Sequence, residues 1–107
     1  MCQTTFSTTT TSAKRAATVS IRGAVDLASA PGMRDAIRAC LHEGSLRISL
    51  DMDEVTFIDC SGVGAIIECR SEAGVTGSAL SLIRPSRSVL RFMTLTHTDD
   101  LLDPVSP

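Results

Sequence analysis

The sequence predicts a single α/β domain, because short runs in which apolar residues alternate with period two take turns with longer runs at helical spacing. Proline, glycine or a capping residue stands at most of the joins. With 107 residues, the chain can enclose one sheet-plus-helix core, which leaves no room for a second lobe or an elaborate cleft.

The opening residues alternate weakly at Cys2, Thr4 and Phe6 and pass into the hydroxyl tract Thr8-Thr9-Thr10-Thr11-Ser12. Residues 1–15 therefore read as a weakly ordered segment or an edge strand. Between Ala17 and Gly23, Val19 and Ile21 take the alternate positions that face a core, and Gly23-Ala24-Val25-Asp26 ends the strand. A helix follows from Pro31, with Met33, Ile37, Cys40 and Leu41 at helical spacing and Gly44 as its stop. Leu46 to Leu50 alternates again, and Val55-Thr56-Phe57-Ile58 either extends this strand or starts its neighbour.

A second helix is expected from about Ser61 to Ala73, with Val63, Ile66 and Ile67 on its apolar stripe and Gly74 as its stop. Ser78 to Ile83 makes a further strand. Pro85 opens a third helix in which Val89, Phe92 and Met93 share one face while Arg84, Arg87 and Arg91 lie on another. Asp99 to Pro104 reads as a short apolar anchor in an acidic stretch, so the domain is assigned to residues 16–103 and a C-terminal tail to 104–107.

Composition narrows the function. Tyr and Trp are absent and the net charge is -2, so neither the stacking surface nor the basic footprint of a nucleic-acid binder is present. The core must be aliphatic. No apolar run approaches the roughly 20 residues of a membrane span, and the N-terminus lacks a signal-type apolar core, so a cytoplasmic protein without direct membrane insertion is expected. The four cysteines, Cys2, Cys40, Cys60 and Cys69, show no CxxC spacing and no adjacent His pair. Reduced thiols and no metal site are expected.

The stretch Asp59-Cys60-Ser61-Gly62-Val63-Gly64 stands where an apolar strand becomes a helix. A carboxylate, a thiol and a hydroxyl are thereby set beside free helix N–H groups, with glycines that let another backbone or a phosphate come close. Catalytic templates do not fit. A phosphatase loop needs arginine six positions after the cysteine, where Ile66 stands; a nucleophile elbow needs glycines where Asp59 and Val63 stand; a Walker loop needs Lys-Ser/Thr where the chain continues Ala65-Ile66. His42 and His97 have no sequence partner that would make either a base.

Three segments resemble the STAS domains of bacterial anti-sigma factor antagonists: Gly23 to Leu27 before a helix, Val55 to Gly64, and Pro85 to Leu95 followed by Asp100-Leu101-Leu102. The resemblance implies a single compact domain with a mixed sheet of four or five strands flanked by helices. It also implies a non-enzymatic, cofactor-free module that binds an anti-sigma factor, often also a serine kinase of histidine-kinase-like fold, and so frees a sigma factor. The family pattern Asp-Ser-Ser/Thr-Gly-Leu/Val-Gly carries its phosphoacceptor at the first serine, and here that position is Cys60.

Ser61 keeps the neighbouring hydroxyl and is the alternative acceptor. Asp26, Asp59, Cys60, Ser61, Gly62, Val63 and Gly64 are the partner-binding residues that the resemblance implies, and bulky substitution at Asp59 or Gly62 is expected to weaken binding without unfolding the domain. Two other roles compete: a redox- or ligand-sensing STAS module acting through Cys60, and an accessory subunit of a transport complex.

Overall fold

Two strand–helix–strand crossovers followed by a third helix build the domain. The computed structural model describes residues 7–97, in the order β1 (Ser7–Ala13), β2 (Ala16–Val25), α1 (Ala30–His42), β3 (Arg47–Ile58), α2 (Cys60–Val75), β4 (Ala79–Ile83) and α3 (Arg87–Thr96). The strands lie side by side as β1-β2-β3-β4. The crossovers through α1 and α2 make β2, β3 and β4 parallel, while β1 folds back antiparallel on β2. The result is the mixed sheet of an α/β domain, with four strands among the described residues. The expected anchor at Leu101-Leu102 lies outside those residues, as does Cys2.

The threonine tract is the edge strand β1. Ala13 pairs with Ala16, and the two residues between them, Lys14 and Arg15, have φ of 50° and 64°. Positive φ at both central residues is the two-residue hairpin geometry whose twist matches the strands. Lys-Arg is not the Asn-Gly pair that announces such a turn.

β3 continues through Val55–Ile58 and starts no new strand. Its pairing with β2 slips twice, between Ser20 and Arg22 and between Gly23 and Ala24, so the buried positions change from every second residue (Ile48, Leu50, Met52) to every third (Val55, Ile58). The first bulge brings Val55, which strict alternation would turn outward, to the core side, and the second returns Ile58 to it. The core is aliphatic and sulfur-containing: Val19, Ile21, Met33, Ile37, Leu50 and Ile66 are fully buried, and of the aromatics among the described residues only Phe92 packs against it, partly exposed. Buried side chains from all three helices enter this one core.

Both long helices end on glycine in the left-handed region. Gly44 has φ +87° and Gly77 has φ +82°, and the next N–H reaches back to the last turn, from Ser45 to Cys40 O at 3.1 Å and from Ser78 to Ala73 O at 2.7 Å. The stop of α2 is thus Gly77, three residues beyond the expected Gly74, which sits within the helix. Ile67 is half exposed, and the buried stripe is Val63, Ile66, Cys69 and Ala73. Arg34–Glu68 at 2.7 Å and Arg38–Glu72 at 2.8 Å link α1 to α2 at matching four-residue steps. Exposed pairs contribute little energy each, and here they fix the relative slide of the two helices.

The third helix begins later than expected. Pro85 precedes the cap, and Ser86 accepts a hydrogen bond from Val89 N–H at 3.2 Å. Arg84 therefore lies outside α3 and donates to Asp53 at 3.0 Å, so the three arginines do not form one helical face.

Cys40 and Cys69 are buried. Burial pushes both thiols above their ordinary range, and the charges of Glu43 and Glu72 push the same way. The unfolded chain loses these protons near about pH 8.5 while the folded chain holds them to higher pH, so stability is full below that value and falls as pH rises, by up to about 1.4 kcal/mol per pH unit for each thiol. Urea midpoints at about pH 7.5 and about pH 9.5 should show this fall, reduced in a Cys40→Ala/Cys69→Ala variant. An equal fall in both proteins contradicts the assignment.

Candidate functional site

β2 and β3 end together, Val25 opposite Ile58. The loops that leave them emerge side by side at the carboxyl ends of adjacent parallel strands, where open α/β sheets place their recognition sites. Each loop is organised by an aspartate. Asp26 Oδ1 accepts hydrogen bonds from the N–H groups of Ala28 and Ser29, both at 3.1 Å. The nearly buried Ser29 hydroxyl accepts from Asp26 N–H at 2.9 Å and donates to Ala24 O at 2.7 Å. Asp26 thereby holds a tight turn into α1.

Asp59 is extended, with φ -132° and ψ -173°, and caps α2: its Oδ1 accepts from Gly62 N–H at 3.0 Å. Its own N–H donates to Val25 O at 3.3 Å, tying the second loop to the end of β2. The helix then passes so close to β2 that a Cβ on Gly62 would lie 2.5 Å from Val25 O and 2.7 Å from Val25 Cγ1. Glycine is required here by another backbone.

The sequence-derived residues separate by exposure. Cys60, the first residue of α2, is exposed; Asp26, Asp59, Ser61 and Gly64 are half buried; Gly62 and Val63 are buried. Gly62 and Val63 are therefore corrected from contact residues to positioning residues, since neither offers surface to a partner. A bulky side chain at Gly62 would meet the backbone of Val25, so the expectation that such a variant keeps its fold has this contact against it. Two apolar residues escaped the sequence reading: Leu27, 76% exposed beside Asp26, and Phe57, 50% exposed two residues before Asp59. Adjacent strand residues face opposite sides, so a buried Ile58 requires an outward Phe57. That was the available signal.

A hollow of about 420 Å³ lies elsewhere, between β1, β2 and β3 near Ser20, Arg22, Asp51 and Arg84. Its charges pair internally, Arg22 with Glu54 and Arg84 with Asp53, and it shares no residue with the turn. Among the described residues, no group of three or more His, Cys, Asp or Glu side chains is arranged to hold a metal ion, and no helix is long and apolar enough to cross a membrane.

A family model described as "Mlab, STAS domain" matches residues 8–103. The chain belongs to the STAS domain family. This STAS domain is 29% identical over 86 residues to the anti-sigma-B factor antagonist of Bacillus subtilis (strain 168), an alignment that covers 79% of this chain and 77% of the relative. Its fold is shared with an anti-sigma factor antagonist from Mycobacterium paratuberculosis, at a TM-score of 0.80 and 20% identity over 96% of this chain and 86% of the other. The anti-sigma factor antagonist SpoIIAA in its unphosphorylated form gives a TM-score of 0.76 and 18% identity over 91% and 86%.

The two glycines of the STAS turn should respond oppositely to the same change. Gly62→Ala forces a methyl against Val25 and should cost about 2–3 kcal/mol. A Cβ at Gly64 meets nothing within 4 Å, so Gly64→Ala should gain about 0.5–1 kcal/mol from helix propensity. Chemical denaturation of both variants measures the difference, and a neutral Gly62→Ala contradicts the close approach.

Proposed function

We propose that this STAS domain is an anti-sigma factor antagonist, a non-enzymatic, cofactor-free cytoplasmic module that binds an anti-sigma factor and so releases a sigma factor for transcription. One observation carries the reading: the loops of Asp26 and Asp59 leave the same end of β2 and β3 and are tied together by the Val25–Asp59 hydrogen bond and the Gly62–Val25 contact, with Cys60 exposed at the first position of α2. Each carboxylate spends one oxygen on its own loop, so the surface is preorganised and pays little ordering cost on docking. Such a rigid acidic turn without a base, a nucleophile pair or a metal set is suited to recognition. The relative in Bacillus subtilis, an anti-sigma-B factor antagonist, supports the same role.

The switch differs from the family pattern. Cys60 occupies the phosphoacceptor position, and Ser61 offers its hydroxyl one residue on, turned by about 100° around the helix and half buried. A kinase that aligns its phosphate donor with position 60 finds a thiol there and loses the in-line geometry for Ser61. In Cys60→Ser, a phosphate would add about -1.5 to -2 charges beside Asp59, enough to repel a partner surface that carries acidic groups at that point.

The exposure of Cys60, against the burial of Cys40 and Cys69, favours one second reading, in which oxidation of Cys60 replaces phosphorylation as the switch.

Affinity for a purified histidine-kinase-like anti-sigma factor and intact mass after incubation with kinase and ATP test the proposal together. Wild type should bind, Asp59→Lys should bind at least tenfold more weakly while remaining folded, and only Cys60→Ser should gain one phosphate. Stoichiometric labelling of wild type that Ser61→Ala abolishes would place the switch at Ser61 and overturn the reading of Cys60.

A further inference from the structure

A second surface begins where the Asp59 turn ends. β4 stops at Ile83, opposite Asp51, so beyond this point β3 has α3 beside it in place of a strand, anchored by Ser86 N–H on Met52 O at 3.1 Å. Between them runs a groove of about 250 Å³, lined by Phe57 and Ile58 of β3 and by Arg87, Arg91, Phe92 and Leu95 of α3. Helix α3 has two apolar stripes. Val89 and Met93 are fully buried in the core, whereas Phe92 and the 73% exposed Leu95 face the groove with the half-exposed Phe57. Phe92 rests partly against the core, whereas Leu95 extends the second stripe into solvent.

The charge at the groove is also distinctive. In a chain of net charge -2, no carboxylate among the described residues lines this groove. Arg22, Arg34, Arg38 and Arg84 each pair with a carboxylate, while Arg87 and Arg91 have no such partner among the described residues. The volume lies below the roughly 300–1,000 Å³ of small-molecule pockets, so it suits a side chain or two better than a metabolite.

We propose that the groove between β3 and α3 takes an acidic segment of the partner protein, seating one or two of its apolar side chains on Phe57, Phe92 and Leu95 and its carboxylates on Arg87 and Arg91. This rests on the reading of the Asp59 turn as the partner surface, to which the groove is joined through Ile58. The two patches then have opposite sign, carboxylates at the turn and guanidinium groups at the groove, so a partner can dock in only one orientation.

The test uses the full-length isotope-labelled protein and an acetylated, amidated peptide of sequence Asp-Asp-Leu-Leu-Asp-Glu, with a second peptide in which every acid is lysine and a third in which both leucines are serine. The acidic-apolar peptide should give saturable NMR shifts centred on Phe57, Arg91, Phe92 and Leu95. The other two should bind at least tenfold more weakly, and Arg87→Glu/Arg91→Glu should lose the acidic peptide and gain the lysine one. Absence of shifts, shifts elsewhere, or equal binding of the acidic and lysine peptides overturns the proposal. Leu101→Ser/Leu102→Ser in the full chain should leave the groove signals in place; if it shifts them and strengthens peptide binding, the occupant is this chain's own C-terminal segment and the proposal fails. Peptide binding does not depend on the Asp59 turn: its loss removes the groove and spares that reading, while failure of an anti-sigma factor to bind a protein that still takes the peptide removes that reading.

Discussion

The candidate site depends on one contact, the passage of the first turn of α2 over the backbone of Val25 through the missing side chain of Gly62. Two parallel strands would place two loops near each other in any case, but nearness alone leaves loops free to move separately. Here Asp59 N–H is spent on Val25 O and Gly62 N–H on Asp59 Oδ1, so the start of α2 is bound to β2 and to its own cap at once. The Asp26 turn starts from the same β2 end and is closed by Ser29. Side chains from different parts of the sequence thus share one rigid frame, the condition for recognising a partner at low ordering cost.

The same frame does not involve the side chain at position 60. Cys60 is exposed, and neither the cap nor the Gly62 contact uses its side chain. The buried Gly62 and Val63 with Asp59 hold the turn, while the side chain at position 60 stands exposed. A thiol there leaves the frame of the turn unchanged.

The architecture was legible where burial is one-sided. Val19 and Ile21 alternate cleanly because β2 shows one face to the helices, and the Met33, Ile37 and Cys40 spacing marks the single buried face of α1. It was less legible in β3, where two bulges break the period of two so that Val55–Ile58 could read as a separate strand. The end of α2 was misplaced because Gly74 and Gly77 both signal a stop, and only backbone φ tells them apart. At the candidate site, Asp59 and Cys60 were singled out from the motif and Asp26 from the family resemblance. The burial of Gly62 and Val63 was not, since a glycine required by a partner and a glycine required by a neighbouring strand are the same letter.

Native-state hydrogen exchange tests the shared frame most directly. If the turn is part of the global fold, the amide protons of Asp59 and Gly62 should exchange with the same opening free energy as the β2–β3 ladder and lose protection only when the sheet does. Exchange at these two amides through a separate, low-energy opening, while the sheet stays protected, would show that the loops move independently and would contradict the account.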